Sequence, residues 1–132
     1  MHRFLLVPLV LLMLLALGSC QENTDSGVPA VVAGKDWYYT HQADGKDGLL
    51  MYKPLGTFTP VGGMGIDGFR LDPDGTFVLH TQGPADEVLD VPGTWRTEGT
   101  DTYRISLRNG QPSYLLTIKL IDDNTLRAHR DD

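Results

Sequence analysis

The chain has 132 residues, room for one domain of ordinary size, and its 41% hydrophobic content is enough to furnish a buried core. Its formal charge is −6, with no Lys/Arg cluster, which argues against nucleic acid and anionic lipid headgroups as direct partners, since both are held by basic patches. A single cysteine, Cys20, excludes an intrachain disulfide.

In chain order, the first segment does not belong to the domain. His2 and Arg3 precede an apolar run from Phe4 to Leu17. As a helix that run would reach about 21 Å at ~1.5 Å per residue, short of a bilayer core about 30 Å thick. A basic start, an apolar middle and a small-residue end predict a secretory signal over 1–19. The boundary Leu17-Gly18-Ser19-Cys20 resembles the bacterial lipobox. That resemblance implies cleavage before Cys20, a diacylglyceryl group on its sulfur, and attachment to a membrane through that lipid. Gln21 after Cys20 is similar to outer-membrane sorting in Gram-negative bacteria, which implies a lipid-anchored envelope location facing the periplasm. Loss of residues 1–19 removes one basic side chain and no acidic one, taking the charge to −7.

Residues 20–34 are polar and turn-prone at first and read as a flexible tether, with Val28–Ala33 as an alternative first strand. From 35 to 132 the hydrophobic period is two. Trp37–Thr40 and Leu49–Tyr52 are short β-rich runs separated by Asp44-Gly45 and Asp47-Gly48 turns. Phe69–Leu71 and Phe77–Thr81 flank Asp72-Pro73-Asp74-Gly75 as a hairpin. Trp95 centres the next strand. Tyr103, Ile105 and Leu107 share one face, Asn109-Gly110 signals a two-residue hairpin, and Tyr114, Leu116, Ile118 and Leu120 face inward before Leu126 and Ala128. Seven or eight short strands with regular turns predict an all-β fold, a small antiparallel meander barrel or a flattened sandwich.

No segment carries an enzyme's constellation. Asp72-Pro73-Asp74-Gly75-Thr76 matches the Asp-x-Asp-Gly-Thr signature of haloacid-dehalogenase-like phosphatases, but that chemistry needs a buried parallel strand. Here both flanks alternate, and a type I turn explains every residue. The spacing of Gly75 is not that of an EF-hand, and the Asp44, Asp47, Asp72 and Asp74 turns leave only surface calcium as a metal reading. Gly62-Gly63-Met64-Gly65 lacks the strand–helix context of a dinucleotide loop. His41, His80 and His129 have no ligand spacing, and His80 and His129 fall on wet-face positions, which predicts solvated rings. No serine elbow is present, so the reading is non-catalytic, with neither cofactor nor metal.

Phe69–Phe77, then Gly93-Thr94-Trp95, then Tyr114, Ile118-Lys119-Leu120 and Leu126 resemble the short lipocalin-like domains of bacterial lipoproteins over about 65–130. Gly34-Lys35-Asp36-Trp37 departs from the lipocalin Gly-x-Trp by one extra residue. The resemblance implies a calycin-like barrel binding a small apolar ligand, with Trp37, Tyr39, Phe69, Phe77 and Trp95 lining an internal pocket. The alternative is an envelope interaction module with a filled core and a protein partner. Internal volume separates the two, because ligand pockets start at about 300 Å³.

Overall fold

The computed structural model describes residues 27–42, 47–60 and 65–132. Every regular element among them is a strand: β1 (Trp37–Tyr39), β2 (Leu50–Pro54), β3 (Asp67–Leu71), β4 (Thr76–Gln82), β5 (Val88–Gly99), β6 (Thr102–Leu107), β7 (Tyr114–Asp122) and β8 (Thr125–Asp131). All pairings are antiparallel, and the sheet closes into a barrel in the order β1-β2-β8-β7-β6-β5-β4-β3. Closure gives every strand a partner on each side and leaves no free edge. From β3 to β8 the chain is a meander. The first hairpin breaks that order, because β1 lies between β2 and β3 while β2 closes the barrel against β8.

The predicted hairpin at 72–75 forms for the reason its residues suggest. The Gly75 amide donates to the Asp72 carbonyl at 3.1 Å, Gly75 takes φ +90°, and Leu71 then pairs with Phe77. Asp72 and Asp74 are occupied within this turn. Asp74 accepts from the Thr76 amide and hydroxyl, and Asp72 accepts from Arg70. The Asn109-Gly110 hairpin forms in the register its residues predict: Ile105 pairs with Tyr114 and Tyr103 with Leu116, which centres the turn on Asn109 and Gly110, and Gly110 takes φ +79°. The rungs nearest the turn are not paired, and Arg108 donates to the Pro92 carbonyl there. β5 also runs longer than its pattern, from Val88 through Pro92.

The inward face packs as alternation predicts. Trp37, Phe69, Leu71, Phe77, Trp95, Tyr103, Ile105, Leu107, Tyr114, Leu116, Ile118 and Leu126 form one buried cluster. Phe69 stacks with Phe77 at 6.3 Å and meets Tyr52 at 5.0 Å, while Trp95 and Tyr103 meet edge-on at 5.7 Å. Leu120, expected inside, is 39% exposed. β6 begins at Thr102, opposite Thr117, so Leu120 has no β6 partner, and a register shift beyond Leu120 carries the β7–β8 hairpin past the wall.

The segment before β1 is neither strand nor loose tether from Val28 onward. Val28 and Val32 join the core, and Pro29–Gly34 forms a tight turn with Val32 and Ala33 donating to the Pro29 carbonyl. The Trp37 indole donates to Val32 at 3.1 Å, the Gly34 amide donates to Leu71, and the Tyr103 hydroxyl donates to the Gly27 carbonyl at 2.9 Å. These bonds close one end of the barrel. Residues 20–26 lie outside the described residues, as do the 43–46 turn and 61–64.

Candidate functional site

Topology makes a crevice along the outer face of β1 that reaches round to the end of the barrel where β3 begins. β2 and β3 both pair antiparallel with β1, so they run in the same direction. The connection from Pro54 to Asp67 therefore has to return along the length of β1. Trp37 points inward with 0% exposure, so its neighbour Tyr38 points outward, and the returning chain lays Leu55, Phe58 and Pro60 beside it. The space enclosed is about 290 Å³, lined by Tyr38 and Tyr39 of β1, His41, Leu55, Phe58 and Pro60, Gly65, Ile66 and Asp67 at the start of β3, and Val88 of β5.

Its walls are mostly apolar, and their outer rim is the most exposed apolar surface near β1: Leu55 is 64% and Val88 56% exposed. Two polar features mark the end near Asp67. His41 sits at φ +57° with its ring against Tyr39 at 4.3 Å, and its Nε2–H donates to the Gly65 carbonyl at 2.7 Å. Asp67 is half-buried and accepts from the Tyr52 hydroxyl at 3.2 Å. Burial pushes the Asp67 carboxyl above its ordinary value, against the opposing pull of the Tyr52 hydrogen bond and the charges of His41 and Arg130. Burial also pushes Tyr52 far up, with the Asp67 charge adding to it, and holds Tyr114 at about 12. Among the described residues no Lys or Arg forms an ion pair with Asp67; Arg130 pairs instead with Asp132 and lies over the Tyr114 ring.

The five residues expected to line an internal pocket separate. Trp37, Phe69, Phe77 and Trp95 are packed into the core, and none of them borders the crevice. Tyr39 does border it, half-buried against the core. A barrel of eight strands either fills with its own side chains or holds one small ligand, and here Trp37, Phe69, Phe77 and Trp95 are members of one buried cluster.

A second polar centre lies on the outer wall, where solvated side chains were expected. His80 is 4% exposed. Its Nε2 lies 2.7 Å from an Asp36 carboxylate oxygen and its Nδ1 2.7 Å from Asp90. A carboxylate only accepts, so a ring nitrogen that carries a proton donates to the carboxylate it faces. Arg70 donates to Asp36 at 3.2 Å and to Asp72 at 3.1 Å, extending the network. The cover over His80 is Tyr38, stacked at 5.3 Å. That ring crosses β3 at Gly68, where a Cβ would stand 2.8 Å from it. The one local signal for this was the glycine inside a strand pattern, which marks a close approach. With both ring nitrogens engaged and its face covered, His80 is a clamp across β1, β4 and β5. His129, also expected to be wet, is partly exposed and bonded to Asp131.

Comparison with known proteins adds no identity: no protein-family model, no curated protein and no solved structure matches the chain.

Proposed function

We propose that the chain is a lipoprotein of the bacterial cell envelope, anchored through lipid on Cys20, whose barrel is a non-catalytic binding module. Its ligand site is the crevice outside β1 rather than the barrel interior. The observation that carries this reading is the pairing of a filled core with an apolar-walled space of about 290 Å³, close to the lower bound for small-molecule pockets. The anchor sets an orientation. Gly27 is seven residues from Cys20, so the end of the barrel closed by Val28 and Val32 stays within about 25 Å of the lipid at ~3.5 Å per residue. The Asp67 end of the crevice then lies away from the membrane, and the favoured location is the outer membrane facing the periplasm.

A protein partner is the second reading, favoured by the exposure of Leu55 and Val88 on the rim. Titration with the neutral apolar fluorophore N-phenyl-1-naphthylamine separates the two. Saturable micromolar binding that is lost in Val88→Asp and retained in the core variant Phe77→Leu is the expected result. Absence of saturable binding, or equal binding by both variants, would leave the protein-partner reading in its place.

A further inference from the structure

We propose that the crevice selects a small organic cation, an ammonium head held at Asp67 with an apolar body lying along Leu55, Phe58, Pro60, Ile66 and Val88. The inference rests on the small-ligand reading and adds the ligand's chemical class to it. Asp67 is the wall's only carboxylate, half-buried, and has no Lys or Arg partner among the described residues. The hydroxyl of Tyr52 satisfies one of its oxygens at 3.2 Å and keeps the carboxylate oriented. A half-buried carboxylate that no Lys or Arg among the described residues contacts, with His41 and Arg130 acting on it only through space, loses solvation and regains part of it, so a cation entering the crevice gains an ion pair in a place where water screens it weakly. Three aromatic side chains, Tyr38, Tyr39 and Phe58, stand in the same wall, and ring faces attract organic cations. The nearest competing base, His41, already gives its Nε2–H to the Gly65 carbonyl. An anionic ligand meets the opposite field: the Asp67 charge here, and Asp36 and Asp90 flanking Tyr38 and His80 next door. A fatty carboxylate is therefore the disfavoured amphiphile.

Isothermal titration of the full chain in lipid nanodiscs, with empty nanodiscs as the blank, tests this using three matched probes: phenethylammonium, 2-phenylethanol and 3-phenylpropanoate. The expected order is the ammonium at least tenfold tighter than the alcohol, with the carboxylate weakest. In Asp67→Asn the ammonium should fall to the level of the alcohol while the alcohol itself is unchanged. Equal binding of ammonium and alcohol, or an ammonium preference that survives Asp67→Asn, overturns the cation inference and leaves the small-ligand reading intact. No binding by any of the three overturns both.

Discussion

Trp95 is where the packing of the barrel and the chemistry of its main turn meet, and its removal tests both. The ring is 8% exposed, meets Tyr103 edge-on, and sits opposite Ile105 across β5 and β6. Its Nε1 donates to the Asp72 carbonyl at 2.8 Å, while its own amide donates to Gly75 at 2.9 Å. Trp95→Ala empties a fully enclosed aromatic site, which costs about 3–5 kcal/mol. Trp95→Phe retains most of the ring and loses the indole bond. The Asp72 carbonyl keeps the Gly75 amide as a donor at 3.1 Å, so it is not left orphaned. The bond then contributes about 1 kcal/mol, and with the smaller ring the total is about 2 kcal/mol. Urea unfolding followed by circular dichroism measures both, and Trp37, the remaining indole, gives an independent fluorescence transition. A loss under about 1 kcal/mol for Trp95→Ala would put the ring outside the core and refute the β5–β6 register. A Trp95→Phe loss equal to that of Trp95→Ala would show that the turn bond, not packing, dominates.

The other predictions follow from the crevice, the clamp and the anchor. Because burial raises the folded Asp67 pKa, the stability linked to that group is present below the unfolded value near 3.8 and is lost as pH rises through the folded value. Asp67→Asn should therefore raise the urea midpoint at pH 7 and lose its advantage below about pH 3.9; an equal gain at both pH values refutes the sign. Gly68→Ala should cost about 1–3 kcal/mol, because its Cβ meets the Trp37 carbonyl and the Tyr38 ring, and should speed diethylpyrocarbonate modification of His80. Unchanged His80 reactivity would mean that Tyr38 is not its cover. Cys20→Ala should abolish labelled palmitate incorporation; labelling at the wild-type level would refute lipid attachment at this residue.

What was legible in the sequence was what neighbouring residues decide among themselves. Asp72-Pro73-Asp74-Gly75 needs only its own backbone and Thr76 to turn, and the alternation of Tyr103, Ile105 and Leu107 names an inward face whatever lies across from it. What was not legible depends on partners far along the chain. Alternation placed His80 on the outer face correctly and its exposure wrongly, because burial came from Tyr38, 42 positions earlier, lying over Gly68. Val28 and Val32 looked like part of a linker because the bonds that seat their segment, from Val32 to Trp37, Gly34 to Leu71 and Gly27 to Tyr103, reach distant strands rather than a periodic neighbour. Asn109-Gly110, by contrast, carried a local turn signal that the register of Ile105 with Tyr114 bears out.

The candidate site shows the same division more sharply. Four of the five aromatics assigned to an internal pocket are inward, so their faces were read correctly, yet whether inward side chains line a cavity or fill it depends on the bore of the closed barrel. The strand number was legible in the turns, but the closure that sets the bore depends on β2 meeting β8, a pairing with no local trace in either. The space that does exist arises from strand order. In a simple meander β2 would stand between β1 and β3, and the β2–β3 connection would be a short hairpin with nothing to enclose. Placing β1 between them obliges the chain that leaves β2 at Leu55 to cross a strand whose outward residue is Tyr38, and a chain crossing a sheet face leaves a gap wherever its side chains do not reach the wall. Leu55, Phe58 and Pro60 supply apolar walls because that crossing lays them against Tyr38, while Asp67 is drawn in because β3 must begin where the crossing ends. The swap of one hairpin in the barrel order thus accounts for the position of the crevice and for the presence of a single carboxylate in its apolar wall.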